Sequence, residues 1–257
     1  MIGAAASVEW LKLRRSRFCL ITLLLVALGC PALTAGFMAA AARGPSDTPL
    51  AGKVNAMLIG EGWTAYLGML SQILSVAAVL GAGLVVSWCF GREFSDQPLS
   101  GLFALPTSRA TIAGAKFLVL TGWTLAMPAL ALLTAVVLAP VAGLRLPIDA
   151  EASLIIKVAL VGLAGGLLAF PLAFVATAAR GHLPAVAALI LIIVGTQILT
   201  LVGVGGWFPY ATVSLWSGMG GSAAATQITP VQLLLVPMTG AIGCAATIGW
   251  WKRMQVA

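Results

Sequence analysis

Charged side chains are placed so unevenly along this chain that they cut it into pieces of membrane length. Residues 18–42, 62–91, 117–144 and 158–179 contain no Asp, Glu, Lys or Arg, and Leu183 to Trp251 adds another 69 residues without one. About 20 apolar residues make a helix that crosses a bilayer, so each of the first four runs holds one span. The last run is too long for a single crossing. Glycines, prolines and polar residues between Gly203 and Thr229 divide it into two. The expected spans are 18–42, 64–88, 111–140, 153–178, 184–204 and 230–250, in an all-α integral membrane protein with one domain over 1–257.

Composition closes off the soluble alternatives. Only 8% of the residues are charged, against about 25% in a soluble domain, which leaves too little to build a water-facing surface. The net charge of +7 has a topological reading. With a cytoplasmic N-terminus, one face receives Lys12, Arg14, Arg15, Arg17, Arg92, Arg109, Lys116, Arg180, Lys252 and Arg253, and the other only Arg43, Lys53, Arg145 and Lys157. The positive-inside rule then places both termini in the cytoplasm. No basic run is interleaved with aromatics, so nucleic acid is not an expected partner; membrane lipid is. A cleaved signal peptide is the competing reading of the first run. Its apolar stretch is longer than the 7–15 residues of a signal peptide, so a retained helix is expected.

Function classes narrow in the same way. Cys19, Cys30, Cys89 and Cys244 form no CxxC pair, the single histidine is His182, and there is no HExxH or phosphate-binding loop. The sequence offers no catalytic residue, no metal site and no cofactor site. Nor does it place an ionisable group in mid-membrane, where proton- and sodium-coupled carriers keep one. Such a chain borrows its energy or does no work. The basic stretch within residues 1–17 reads either as an interfacial helix with Trp10 at the membrane surface or as a plain topogenic flank.

Against this background Gly91–Lys116, GREFSDQPLSGLFALPTSRATIAGAK, gathers Arg92, Glu93, Asp96, Arg109 and Lys116 between spans two and three. Ser95 or Asp96 can cap a short helix with Pro98 in its first turn, and Leu99, Leu102, Phe103 and Leu105 give it an apolar face. Pro106 stops it, and Thr107 or Ser108 caps the helix that runs through Lys116. The order of an acid, a short helix, Leu105-Pro106-Thr107-Ser108-Arg109 and then Lys116-Phe117 resembles permeases of the ATP-binding-cassette exporters, in the ABC-type-two membrane family. The small bacitracin, lantibiotic and multidrug export permeases are the most similar. Gln97-Pro98 departs from the Gly-Thr or Arg-Thr that members often carry there. Ala179-Arg180-Gly181 and Phe208-Pro209-Tyr210 add to the likeness.

The resemblance implies that 89–110 is a cytoplasmic coupling region whose helix docks on a separate ABC ATPase, present in two copies. Glu93, Leu102, Phe103, Leu105, Pro106 and Arg109 are its expected contacts. ATP and Mg would be bound and hydrolysed by that partner, so this chain is not itself an enzyme. A second permease copy or paralogue completes the transporter. Spans two and five line the path in such exporters, which gives meaning to two triplets of equal spacing: Ser71, Gln72 and Ser75, and Thr196, Gln197 and Thr200. Interhelical hydrogen bonding is the alternative role for both. Residues 205–229 are expected outside the cytoplasm, with a re-entrant helical pair permitted. Trp207, Phe208, Pro209 and Tyr210 stand there as outer-gate candidates or as interface anchors.

The expected function is export of an amphipathic cargo, such as a peptide antibiotic, drug or lipid-like molecule, across a bacterial cytoplasmic membrane, with antibiotic resistance or multidrug efflux as its context. A polysaccharide or lipid exporter, or a non-transporting intramembrane scaffold, is the alternative.

Overall fold

A computed structural model describes residues 2–43, 52, 54, 58–95, 108–145 and 152–253. Among these the chain is almost wholly helical, with no strand, and six helical segments are long and apolar enough to cross a membrane. They are Arg17–Ala42, Gly62–Phe94, Arg109–Ala142, Ala152–Ala178, His182–Leu201 and Pro230–Arg253. These agree with the six runs between charges, although several helices extend a turn or more into charged sequence. Glu93 therefore lies inside the helix of span two rather than beyond its end, and Lys116 and Lys157 lie inside helices as the expected bounds have them. Six crossings bring both termini to one face, here called the terminal face.

The N-terminal helix α1 (Ile2–Arg15) is a separate element that ends at Ser16 and packs against the helix of span three. Spans one to three are single helices: α2 (Arg17–Arg43), α3 (Gly62–Ser95) and α4 (Arg109–Leu138). Ser108 caps α4, its hydroxyl accepting from the Thr111 amide at 3.2 Å. Pro31, Pro128 and Pro237 sit within unbroken helices. Pro171 does not: span four is α5 (Ala152–Leu168), a turn at residues 169–170, and α6 (Pro171–Ala178). Proline suits the first turn of a helix because it has no N–H to satisfy there, so the chain restarts at Pro171. Span five is α7 (His182–Leu201). A 3₁₀ turn at Gly205–Trp207, α8 (Pro209–Ser217) and α9 (Ser222–Thr226) lead to span six, α10 (Pro230–Arg253).

Glycine sets how closely the spans approach. A Cβ at Gly243 of span six would stand 2.5 Å from the Pro171 nitrogen, so span six rests on the break in span four. Cβ atoms at Gly162, Gly165 and Gly166 would meet Pro128, Ala78 and Thr124. Where hydrocarbon surrounds the bundle, small residues let backbones come close enough for dispersion to hold the helices together. At the terminal face, a Cβ on Gly91 of span two would collide with the backbone of His182 at the start of span five. Span two is the most enclosed of the six spans and span five the least.

Four helix ends close with the same pair of backbone bonds, one back three residues and one back five. They centre on Gly143, Arg180, Gly203 and Gly218. Each of these residues has a positive φ, and Arg180, at +53°, is the one without glycine's freedom.

Candidate functional site

The terminal ends of spans two and three enclose four charges. The Lys116 ammonium donates to Glu9 Oε2 at 2.6 Å and to Glu93 Oε1 at 2.7 Å, and reaches the Cys89 carbonyl at 3.5 Å. Lys12 Nζ donates to Glu9 Oε1 at 2.8 Å and to Glu93 Oε1 at 3.2 Å. The four form a closed ring in which every carboxylate meets both lysines, and the charges cancel. Lys116 and Glu93 are almost sealed, with side chains 3% and 2% exposed, whereas Lys12 is 31% exposed.

A helix dipole opposes part of this placement. Glu93 stands in the last turn of α3, where a carboxylate is disfavoured; Lys116, two turns into α4, is buried at 3% exposure. Each is held by the other, because removing a buried charge's partner leaves it uncompensated. The ring joins α1, the last turn of α3 and the third turn of α4.

Of the expected coupling contacts, Glu93 is in this ring and Arg109 opens α4, with partial burial. Leu102, Phe103, Leu105 and Pro106 lie outside the described residues. Sequence reasoning gives Glu9 and Lys12 no role. Their signal is weak: an acid and a base three apart on one helix, with partners 81 to 107 residues away.

A second polar feature lies between spans two and five. A cleft of about 340 Å³ is bordered by Ser75, Val79, Thr196, Gln197, Tyr210 and Ser214. One residue of the first triplet and two of the second thus share one cleft. The Ser75 hydroxyl donates to the Gln72 carbonyl at 2.7 Å and lies 3.4 Å from the Ser214 hydroxyl. Thr196 and Thr200 donate to carbonyls one turn back, at Ile192 and Thr196. Ser71 and Gln72 are buried beside this region rather than on the cleft wall. Ser71 Oγ has no protein partner among the described residues. Thr200 is also off the wall and packs against Gly205.

The outer-gate candidates separate. Trp207 is 65% exposed, while Tyr210 is buried in α8, which packs among spans two, four, five and six. Pro209 opens that helix, and Phe208 and Tyr210 lie ring to ring at 5.3 Å. Burial pushes the Tyr210 hydroxyl up to about 12, so it faces the cleft as a neutral group.

Six apolar helices, a buried ring of charge at the ends of spans two and three and a polar cleft define a multi-pass membrane protein. The sequence model of the ABC-2 family, described as "ABC-2 family transporter protein", matches residues 6–198, and the chain belongs to that family. It is accordingly a membrane component of an ABC transporter, of permease type, and the family implies an ABC ATPase partner. No curated protein matches the chain.

Proposed function

We propose that this chain is half of the permease pair of an ATP-driven exporter in a bacterial cytoplasmic membrane, with the terminal face in the cytoplasm. Two copies of a separate ATPase bind and hydrolyse ATP with Mg and push on residues 89–110. The permease converts that push into access for an amphipathic cargo, such as a peptide antibiotic, drug or lipid-like molecule.

The Glu93–Lys116 contact at 2.7 Å carries this reading. A coupling segment transmits force only if its two ends move as one body, and a sealed ion pair across its root supports that. Span five supports the second copy. Leu191, Leu201 and Val202 are 70% exposed or more, and Gln197, at the rim of the cleft, is exposed as well. An amide facing lipid is costly, so a partner permease covering this face resolves the exposure.

Co-expression with the candidate ATPase tests the proposal. The expected result is co-purification, faster ATP hydrolysis with the permease bound, and cargo uptake into inverted vesicles. Phe103→Asp should abolish stimulation and uptake while melting like wild type. Unchanged transport in that variant would refute the coupling role, and failure of any ATPase to join the wild-type chain would favour the scaffold.

A further inference from the structure

The charge ring leaves one neighbouring cation outside its balance. Glu9, Glu93, Lys12 and Lys116 cancel, but Arg92, next to Glu93, pairs with no carboxylate among the described residues. Its guanidinium lies over the Trp88 ring, with Cζ 4.5 Å from the centroid. A cation–π contact of this kind uses none of the guanidinium N–H donors as hydrogen bonds to a carboxylate, and their fork suits phosphate oxygens.

Beside this stack is a cleft of about 310 Å³ between α1, span two and span three. Leu13, Trp88, Val119 and Leu120 form apolar walls; Lys12, Lys116 and Arg92 line it as cations and Glu9 and Glu93 as carboxylates, so the net positive charge of the lining is that of Arg92. Phe18, the second residue of span one, lies 5.7 Å from the Trp88 ring, so the cleft sits at the depth where the apolar spans begin. Arg14, Arg15 and Arg17 are exposed in the same stretch of chain and add to the positive field.

We propose that this cleft is a binding site for an anionic phospholipid. Its phosphate takes the Arg92 fork with Lys12 alongside, and its glycerol and first methylenes lie on Leu13, Val119 and Trp88. The apolar walls favour a lipid over a soluble anion, which would leave them wet. A lipid seated there touches α1, span two and span three at once and ties them together from the membrane side. Such a site does not depend on transport and survives the failure of that reading.

The test uses the whole purified chain in nanodiscs of phosphatidylglycerol or of phosphatidylcholine, with native mass spectrometry of lipids retained after extraction. Wild type should hold at least one phosphatidylglycerol per chain and melt about 3 °C higher in that lipid. Arg92→Gln should lose both effects, and Arg92→Lys should keep part of the retention, since it restores charge without the fork. Equal retention by wild type and Arg92→Gln, or equal behaviour in the two lipids, overturns the site. So does inorganic phosphate at about 10 mM reproducing the shift, which would mark a free-anion site. Should Arg92→Gln fail to fold, brominated lipids decide with the arginine intact. Brominated phosphatidylglycerol should quench a fluorescence component that brominated phosphatidylcholine does not and that Trp88→Phe removes. Equal quenching by the two refutes the proposal.

Discussion

Replacing Lys116 with methionine keeps the length of the side chain and removes its charge from the ring. Two carboxylates then face Lys12 alone, Glu93 stays 2% exposed, and the Cys89 carbonyl loses a donor. Breaking a buried pair by deleting one partner costs about 3–5 kcal/mol, a large part of the roughly 5–15 kcal/mol that holds a typical domain folded. Lys12→Met removes as many carboxylate contacts from a site that water reaches, and should cost about 1 kcal/mol. The double variant Glu93→Gln with Lys116→Met leaves Glu9 and Lys12 as a balanced pair. It should recover about 1–3 kcal/mol of the Lys116→Met loss. Equilibrium unfolding in mixed micelles, followed by tryptophan fluorescence, reads all three variants against wild type. Equal losses for the two single lysine variants would refute the reasoning, because burial is the main difference between them. No recovery in the double variant would also refute it.

Two further predictions concern the backbone. Gly243→Ala sets a methyl 2.5 Å from the Pro171 nitrogen, where neither side can yield cheaply, and should lower stability by about 1–3 kcal/mol. Gly249→Ala, with nothing within 4 Å of its added carbon, should be neutral or slightly stabilising in the same unfolding assay. Arg180→Gly relieves a side chain held at φ +53° and should raise the melting temperature by about 2 °C, whereas a β-branched residue there should lower it.

The spans were legible because a bilayer allows charge only near its surfaces, so the spacing of charges is a direct record of crossings. Ser108 as a cap was legible from local spacing, whereas the placing of Ser75 with Thr196 and Gln197 on one cleft was expected only from the family resemblance. The ring was not. Glu9 reaches Lys116 across 107 positions, and nothing in a local window distinguishes it from a solvated acid at a helix surface. Arg180 was hidden for the opposite reason: three sister turns obey the preference for glycine, and this one departs from it. Pro128, Pro171 and Pro237 look alike in sequence. Only Pro171 restarts a helix, because span six presses on that point through Gly243.

The contact of Gly91 with His182 has a mechanical consequence. Backbone meets backbone there with no side chain between, so no room is left for spans two and five to approach further at the terminal face. A tilt of span five that kept this contact would have it as the fulcrum. Ser75 is 16 residues up span two from Gly91, a lever of about 24 Å at the rise of an α-helix. Each degree of tilt of span five about that point therefore changes its separation from Ser75 by about 0.4 Å. A tilt of about five degrees would widen the cleft by about 2 Å while the contact at Gly91 stayed closed.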